Sequence, residues 1–154
     1  MSKSVFLALL LVSLVGCVMA PQYGNFIQNT AATNDKKIAD DVVKKLVALY
    51  PPASTRFDMQ HATPDFFGTY LVASMRANSY AVMEFKATTA VANAEPASVP
   101  PSSAGLSLSY VMDQAKDSDL YRVTLVINHE QSLARVYQLQ DGTIYPAGYW
   151  VRKE

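Results

Sequence analysis

The sequence predicts an α+β fold, with two helices packed on a mainly antiparallel β-sheet whose last part is a C-terminal four-strand meander. Three observations carry this. Two windows, Ile38–Leu46 and Phe67–Met75, repeat apolar residues at helical spacing. From Leu106 onward the apolar residues alternate with polar ones, as in half-buried strands. Asp141-Gly142 lies between two such runs and reads as a tight hairpin turn.

The elements follow in order. Asn34 or Asp35 is a candidate N-cap for a helix running to about Tyr50, which Pro51-Pro52 stops. Ile38, Val42 and Leu46 make its apolar face, with Ala39, Val43 and Val47 beside them, and Asp40/Lys44 and Asp41/Lys45 are spaced as i, i+4 ion pairs on the wet face. Thr55–Gln60 alternates with Phe57 and Met59 inward and reads as a short strand. Thr63-Pro64-Asp65 has the cap, first-turn proline and first-turn acid of a second helix start. Phe67, Leu71 and Met75, joined by Tyr70, form the stripe of that helix, which ends at Asn78-Ser79 before a strand at Tyr80–Phe85. Ala87–Gly105 is rich in Ala, Pro, Ser and Thr and reads as a flexible loop. Strands follow at Leu106–Met112, Leu120–Ile127 and Leu133–Leu139. Thr143–Arg152 closes the chain, with Pro146 and Gly148 marking an edge or bulge.

The N-terminus has a different character. Met1–Ser4 carries one positive charge, and Val5–Val15 is apolar apart from Ser13. A bilayer-spanning helix needs about 20 such residues, so this shorter run has the length of a secretory core rather than of an anchor. Leu14-Val15-Gly16-Cys17 then resembles the lipobox of bacterial lipoproteins. The resemblance implies that the Cys17 thiol takes up a diacylglyceryl group, that cleavage falls before it and that the mature chain starts at Cys17. Val18, rather than Asp, follows Cys17. Under the sorting rule of such lipoproteins this implies an outer-membrane protein, lipid-anchored and facing the periplasm. The alternative is an ordinary signal peptide with an incidental cysteine, cut after Val18-Met19-Ala20. On the lipoprotein reading the organisation is a signal peptide at 1–16, a flexible tether at 17–33 and a single α+β domain at 34–154, with the loop at 87–105 inside it.

Composition narrows the function classes. Half the residues are hydrophobic and 17% are charged, enough for a packed core. Thirteen basic residues balance thirteen acidic ones without a basic patch, so direct nucleic-acid binding has no electrostatic basis. One cysteine excludes an internal disulfide and a cysteine-based zinc site. His61 and His129 each fall in a turn with no ligand-spaced partner, and both are expected to be exposed. Asp113, Asp117 and Asp119 cluster around one turn but lack the longer ligand series of a calcium loop. No nucleophile, phosphate-binding or dinucleotide motif is present, so no catalytic residue, metal ligand, small-molecule substrate or cofactor is assigned apart from the covalent lipid on Cys17. Tyr145, Tyr149 and Trp150, near a chain end with Pro and Gly, suit a contact surface for a partner protein; the alternative is that Trp150 and one tyrosine cap the core.

Several stretches together resemble one family. They are the lipobox, ALYPPASTRF, FFGTYLVASMRANSYAVMEF, LYRVTLVI, SLARVYQLQDG and the ending IYPAGYWVRKE. This combination is similar to the TrbH lipoproteins of conjugative plasmid and integrative-element transfer systems. The resemblance spans nearly the whole chain except Ala87–Gly105. It implies a structural, non-enzymatic part of the mating-pair-formation apparatus, a type IV secretion system, whose partners are other envelope proteins of the complex. Only Cys17 carries over as a functional residue. The competing reading is a periplasm-facing adaptor or pilotin-like lipoprotein of another envelope machine.

Overall fold

In the computed structural model the described residues are 22–28, 30–87 and 105–154. The expected signal peptide, Cys17 and positions 88–104 of the loop lie outside them. In chain order the elements are β1 (Gly24–Asn25), α1 (Ala32–Leu49), β2 (Arg56–Met59), α2 (Phe66–Ala77), β3 (Ala81–Met83), β4 (Leu106–Gln114), β5 (Leu120–Ile127), β6 (Gln131–Gln140), β7 (Thr143–Pro146) and β8 (Val151–Lys153).

The strands form one sheet in the order β3-β2-β4-β5-β6-β7. β1 shares an edge of β4 with β2, and β8 shares an edge of β6 with β7. The antiparallel meander β4–β5–β6–β7 is present as expected. The first three strands add a parallel part: β2 runs parallel to both β3 and β4, and β1 runs parallel to β4. The cause is connectivity. Helix α2 joins β2 to β3 as a crossover, which returns the chain in the same direction.

Alternation sorts the strands into two faces. Leu108, Tyr110 and Met112 of β4, with Val123, Leu125 and Ile127 of β5, point toward the helices and are buried. Ile38, Val42 and Leu46 of α1 and Phe67, Leu71 and Met75 of α2 meet them as the predicted stripes. Phe57 sits among Tyr50, Tyr80 and the core, with ring centroids 5.9 and 5.3 Å away.

The structure moves both helix starts. α1 begins at Ala32, with Ala31 at the cap position, so the predicted caps Asn34 and Asp35 lie inside the first turn and are buried. Asn34 faces the sheet: its Nδ2 donates to the Gly142 carbonyl at 3.0 Å, and the Ile144 N–H donates to its Oδ1 at 3.2 Å. α2 is capped by Asp65, whose carboxylate accepts the Gly68 N–H at 2.9 Å, rather than by Thr63. Gly68 is required there, because a Cβ would collide with the Tyr110 hydroxyl and Thr63.

From Gly24 onward the chain is not the tether expected over 17–33, of which positions 17–21 and 29 lie outside the described residues. Gly24 and Asn25 pair with Val111 and Met112, the Phe26 N–H donates to the Met112 carbonyl at 2.8 Å, and Ile27 enters the core. Only two residues pair as strand, too few for an alternation pattern to reveal. The last expected strand is also split. β7 stops at Pro146 and β8 starts at Val151, because the proline lacks a donor for the ladder.

Candidate functional site

Arg135 organises the C-terminal part of the sheet. It lies in phase with the inward residues Leu133 and Tyr137 of β6, so its guanidinium is directed toward α1. There Nη1 donates to both carboxylate oxygens of Asp41, at 2.9 and 2.8 Å, and the Tyr137 hydroxyl donates to the same carboxylate at 2.7 Å. Burial, together with this carboxylate, pushes the Tyr137 hydroxyl well above the usual phenol range, so it stays a donor. Asp41 therefore does not pair with Lys45 on the wet face, and Asp40 pairs backward with Lys36 at 2.7 Å rather than forward with Lys44.

The same guanidinium fixes the loop between β7 and β8. Its Nε donates to the Gly148 carbonyl at 2.8 Å, and its carbon lies 5.9 Å from the Trp150 ring centroid. Trp150 is held partly buried against the core. Tyr149, between these two anchored residues, is 93% exposed. Beside it, on the sheet face away from the helices, Leu120, Val136, Ala147 and Val151 line an apolar cleft of about 510 Å³. Tyr145 is also exposed, with the Lys37 ammonium 6.0 Å from its ring centroid. The three aromatic residues singled out by sequence thus separate: Trp150 packs, and Tyr145 and Tyr149 project.

A second constellation lies where the chain enters the sheet. β2 and β1 leave a gap along β4, and His61 fills it. Its Nε2 accepts the Tyr110 N–H at 3.2 Å, in place of a strand carbonyl. Its Nδ1 lies 2.9 Å from the Ala62 carbonyl, which can only accept, so the proton is on Nδ1. The ring stacks on Tyr23 at 5.8 Å and meets the edge of Tyr110 at 4.5 Å. Burial lowers its pKa, which keeps it neutral. The expectation of an exposed turn histidine therefore does not hold for His61, while His129 is exposed in its turn with positive φ.

Near this gap an open cleft is lined by Asn25, Ile27, Thr30, Asp35, Asp65 and Phe66. Asp35 is buried there, and its Oδ1 has no hydrogen-bond partner among the described residues. Burial pushes its pKa up to about 6, an effect that the Thr30 hydroxyl opposes and the charge of Asp65 adds to. Asp65 also accepts from the Tyr110 hydroxyl, so one side chain both caps α2 and ties it to β4.

Among the described residues no group of three or more His, Cys, Asp or Glu converges as a metal site. Asp113 is held by Arg122 across β4 and β5, at 3.1 and 2.6 Å, and Asp117 sits in the turn with positive φ. None of these described helices is long and apolar enough to cross a membrane. What the C-terminal surface presents is an exposed tyrosine, Tyr149, beside an apolar cleft.

Neither the curated proteins nor the solved structures contain a match to this chain. The family profile described as "Conjugal transfer protein TrbH" matches residues 20–154, which take in every element of the sheet and both helices. The chain belongs to the TrbH family of conjugal transfer proteins.

Proposed function

We propose that this protein is a lipid-anchored structural component of a conjugative type IV secretion apparatus, held at the outer membrane through Cys17 and facing the periplasm. The observation that carries the reading is the family match across residues 20–154. The lipid anchor rests on Leu14-Val15-Gly16-Cys17 after a short apolar run. Two or three acyl chains, at about 0.8 kcal/mol per buried CH₂, make such an anchor stable. The partners are other envelope proteins of the transfer complex, and the contact falls on Tyr149, Tyr145 and the cleft beside them. A large, rigidly presented aromatic next to an apolar depression is the composition of an interface anchor.

The test combines palmitate labelling with mating. Wild-type protein incorporates labelled palmitate and Cys17→Ser does not. A deletion of the gene abolishes transfer, and Cys17→Ser restores it poorly. Transfer at the wild-type frequency from the clean deletion would overturn the structural role. Equal palmitate incorporation by Cys17→Ser would overturn the anchor.

A further inference from the structure

We propose that the end of the domain bearing Tyr23, Phe26 and Phe66 lies against the phospholipid surface to which Cys17 is anchored, so that the lipid anchor sets an orientation as well as a location. This rests on acylation of Cys17. The first argument is reach. From Cys17 to Gln22 is five Cα–Cα steps, which span at most about 18 Å. Beyond Gln22 the chain is fixed: the Tyr23 ring stacks on His61, Gly24 pairs with Val111 and the Phe26 N–H is bonded to β4. The part of the domain around β1 is therefore confined to the neighbourhood of the bilayer surface.

The second argument is what stands at that end. Phe66 is 64% exposed at the first turn of α2, and Phe26 is 45% exposed at the end of β1. Phe66 lines the cleft together with Asn25 and Ile27, the two neighbours of Phe26. Two phenyl rings left out of a core that buries Phe57 and Phe67 completely are suited to a surface that is itself partly apolar. Aromatic side chains at the depth of the headgroups are a recurrent feature of membrane-interface contacts. Trp150 provides an internal reference. Asp35 lines the cleft beside Phe66, whereas Asp41, Lys44, Lys45 and Ala48 line the pocket beside Trp150. These positions lie six to thirteen residues beyond Asp35 on α1, which separates the two regions by about 9–20 Å along the helix axis.

The experiment uses the full acylated chain reconstituted in phosphatidylethanolamine/phosphatidylglycerol vesicles, with or without brominated acyl chains as fluorescence quenchers. Trp150 is the single tryptophan, so the native chain reports on the distal region. Phe66→Trp combined with Trp150→Phe reports on the proposed contact, and Phe26→Trp in the same background is a second probe. Should Trp150→Phe prevent folding, Phe66→Trp is added to the native chain and the difference in quenching is read. The expected result is that brominated vesicles quench roughly half the emission from positions 66 and 26, consistent with shallow interfacial insertion, and leave Trp150 nearly unchanged. If the acylated chain floats with the vesicles but positions 66 and 150 are quenched equally, or neither is quenched, the orientation is overturned and the anchor stands. If Cys17→Ser floats as well as wild type, the anchor reading fails and the orientation falls with it.

Discussion

The two faces of this sheet are built from alternate residues of the same strands and do opposite things. Leu125 of β5 points at the helices and is fully buried, whereas its neighbour Val126 points away and stays partly open. On the helix side, polar residues serve as pins: Asp41 with Arg135 and Tyr137, Asp65 with Tyr110, and Asn34 with the β6–β7 hairpin. On the other side the apolar residues Leu120, Val136 and Val151 are left exposed around a cleft. One strand thus supplies both a covered half and an open half, and the pleat keeps the two separable by mutation.

The sharpest way to break the comparison is a pair of adjacent substitutions. Leu125→Ala should cost about 2–5 kcal/mol of stability, from lost transfer energy and the cavity left behind. Val126→Thr should change stability by less than about 0.5 kcal/mol, as surface changes usually do. Urea unfolding of the two purified variants reads both values. Equal losses would mean that the open face carries as much of the fold as the covered one.

Next in size is the pin itself. Asp41→Ala leaves the Arg135 guanidinium and the Tyr137 hydroxyl without their acceptor. Both side chains of the ion pair are mostly sheltered, with relative exposures of 19% and 24%. The expected cost is about 2–3 kcal/mol. Because Arg135 also holds the Gly148 carbonyl, the β7–β8 loop should loosen. Faster hydrogen exchange at Tyr149 and Trp150 is the accompanying readout. Unchanged exchange there would separate the pin from the presentation of Tyr149.

Asp35 makes a smaller change of the opposite sign. Its folded pKa of about 6 lies above the ordinary 3.8, so folding disfavours its charged form. Stability is reduced fully above pH 6 and recovers as pH falls from about 6 toward 4, by at most about 3 kcal/mol at 1.36 kcal/mol per pKa unit. Asp35→Asn should therefore stabilise the protein at pH 7.5 by about 1–2 kcal/mol and lose that advantage at pH 4.5. Burial lowers the His61 pKa, and charging it would place a second proton against the Tyr110 N–H. The difference between variant and wild type at each pH, taken from thermal melts, isolates the Asp35 part.

Much of this arrangement was legible in the chain. The stripes Ile38/Val42/Leu46 and Phe67/Leu71/Met75, the alternation in Leu120–Ile127 and the Asp141-Gly142 turn all report local periodicity, and local periodicity decides element type. Arg135 gave a signal too, since it falls in phase with Leu133 and Tyr137 where an apolar residue would be expected. Its partner Asp41, on another element 94 positions away, could not be found from spacing. β1 and the parallel pairing of β2 with β4 depend on which strands become neighbours in space, and nothing in their short sequences encodes that choice. His61 is the same case: a turn residue by local reading, and a strand surrogate only because β2 and β1 leave a gap beside Tyr110.

The smallest effect on stability belongs to the cleft, and there the comparison makes its functional claim. Tyr149→Ala removes a ring that is 93% exposed, and Val151→Ser removes methyl groups from an edge strand that is itself exposed. Neither leaves a core cavity or an unpaired buried group, so the melting temperature should move by no more than about 0.5 kcal/mol equivalent. If the open face is the contact half, the double variant should nevertheless reduce conjugal transfer at least tenfold in a complementation assay. That factor corresponds to about 1.4 kcal/mol of lost interface energy, well within what one aromatic anchor supplies. Protein levels in the envelope fraction, measured by immunoblot, separate this loss from turnover of the protein. A stable, abundant double variant that transfers at the wild-type frequency would remove Tyr149 and its cleft from the interface and leave Tyr145 beside Lys37 as the next surface to substitute.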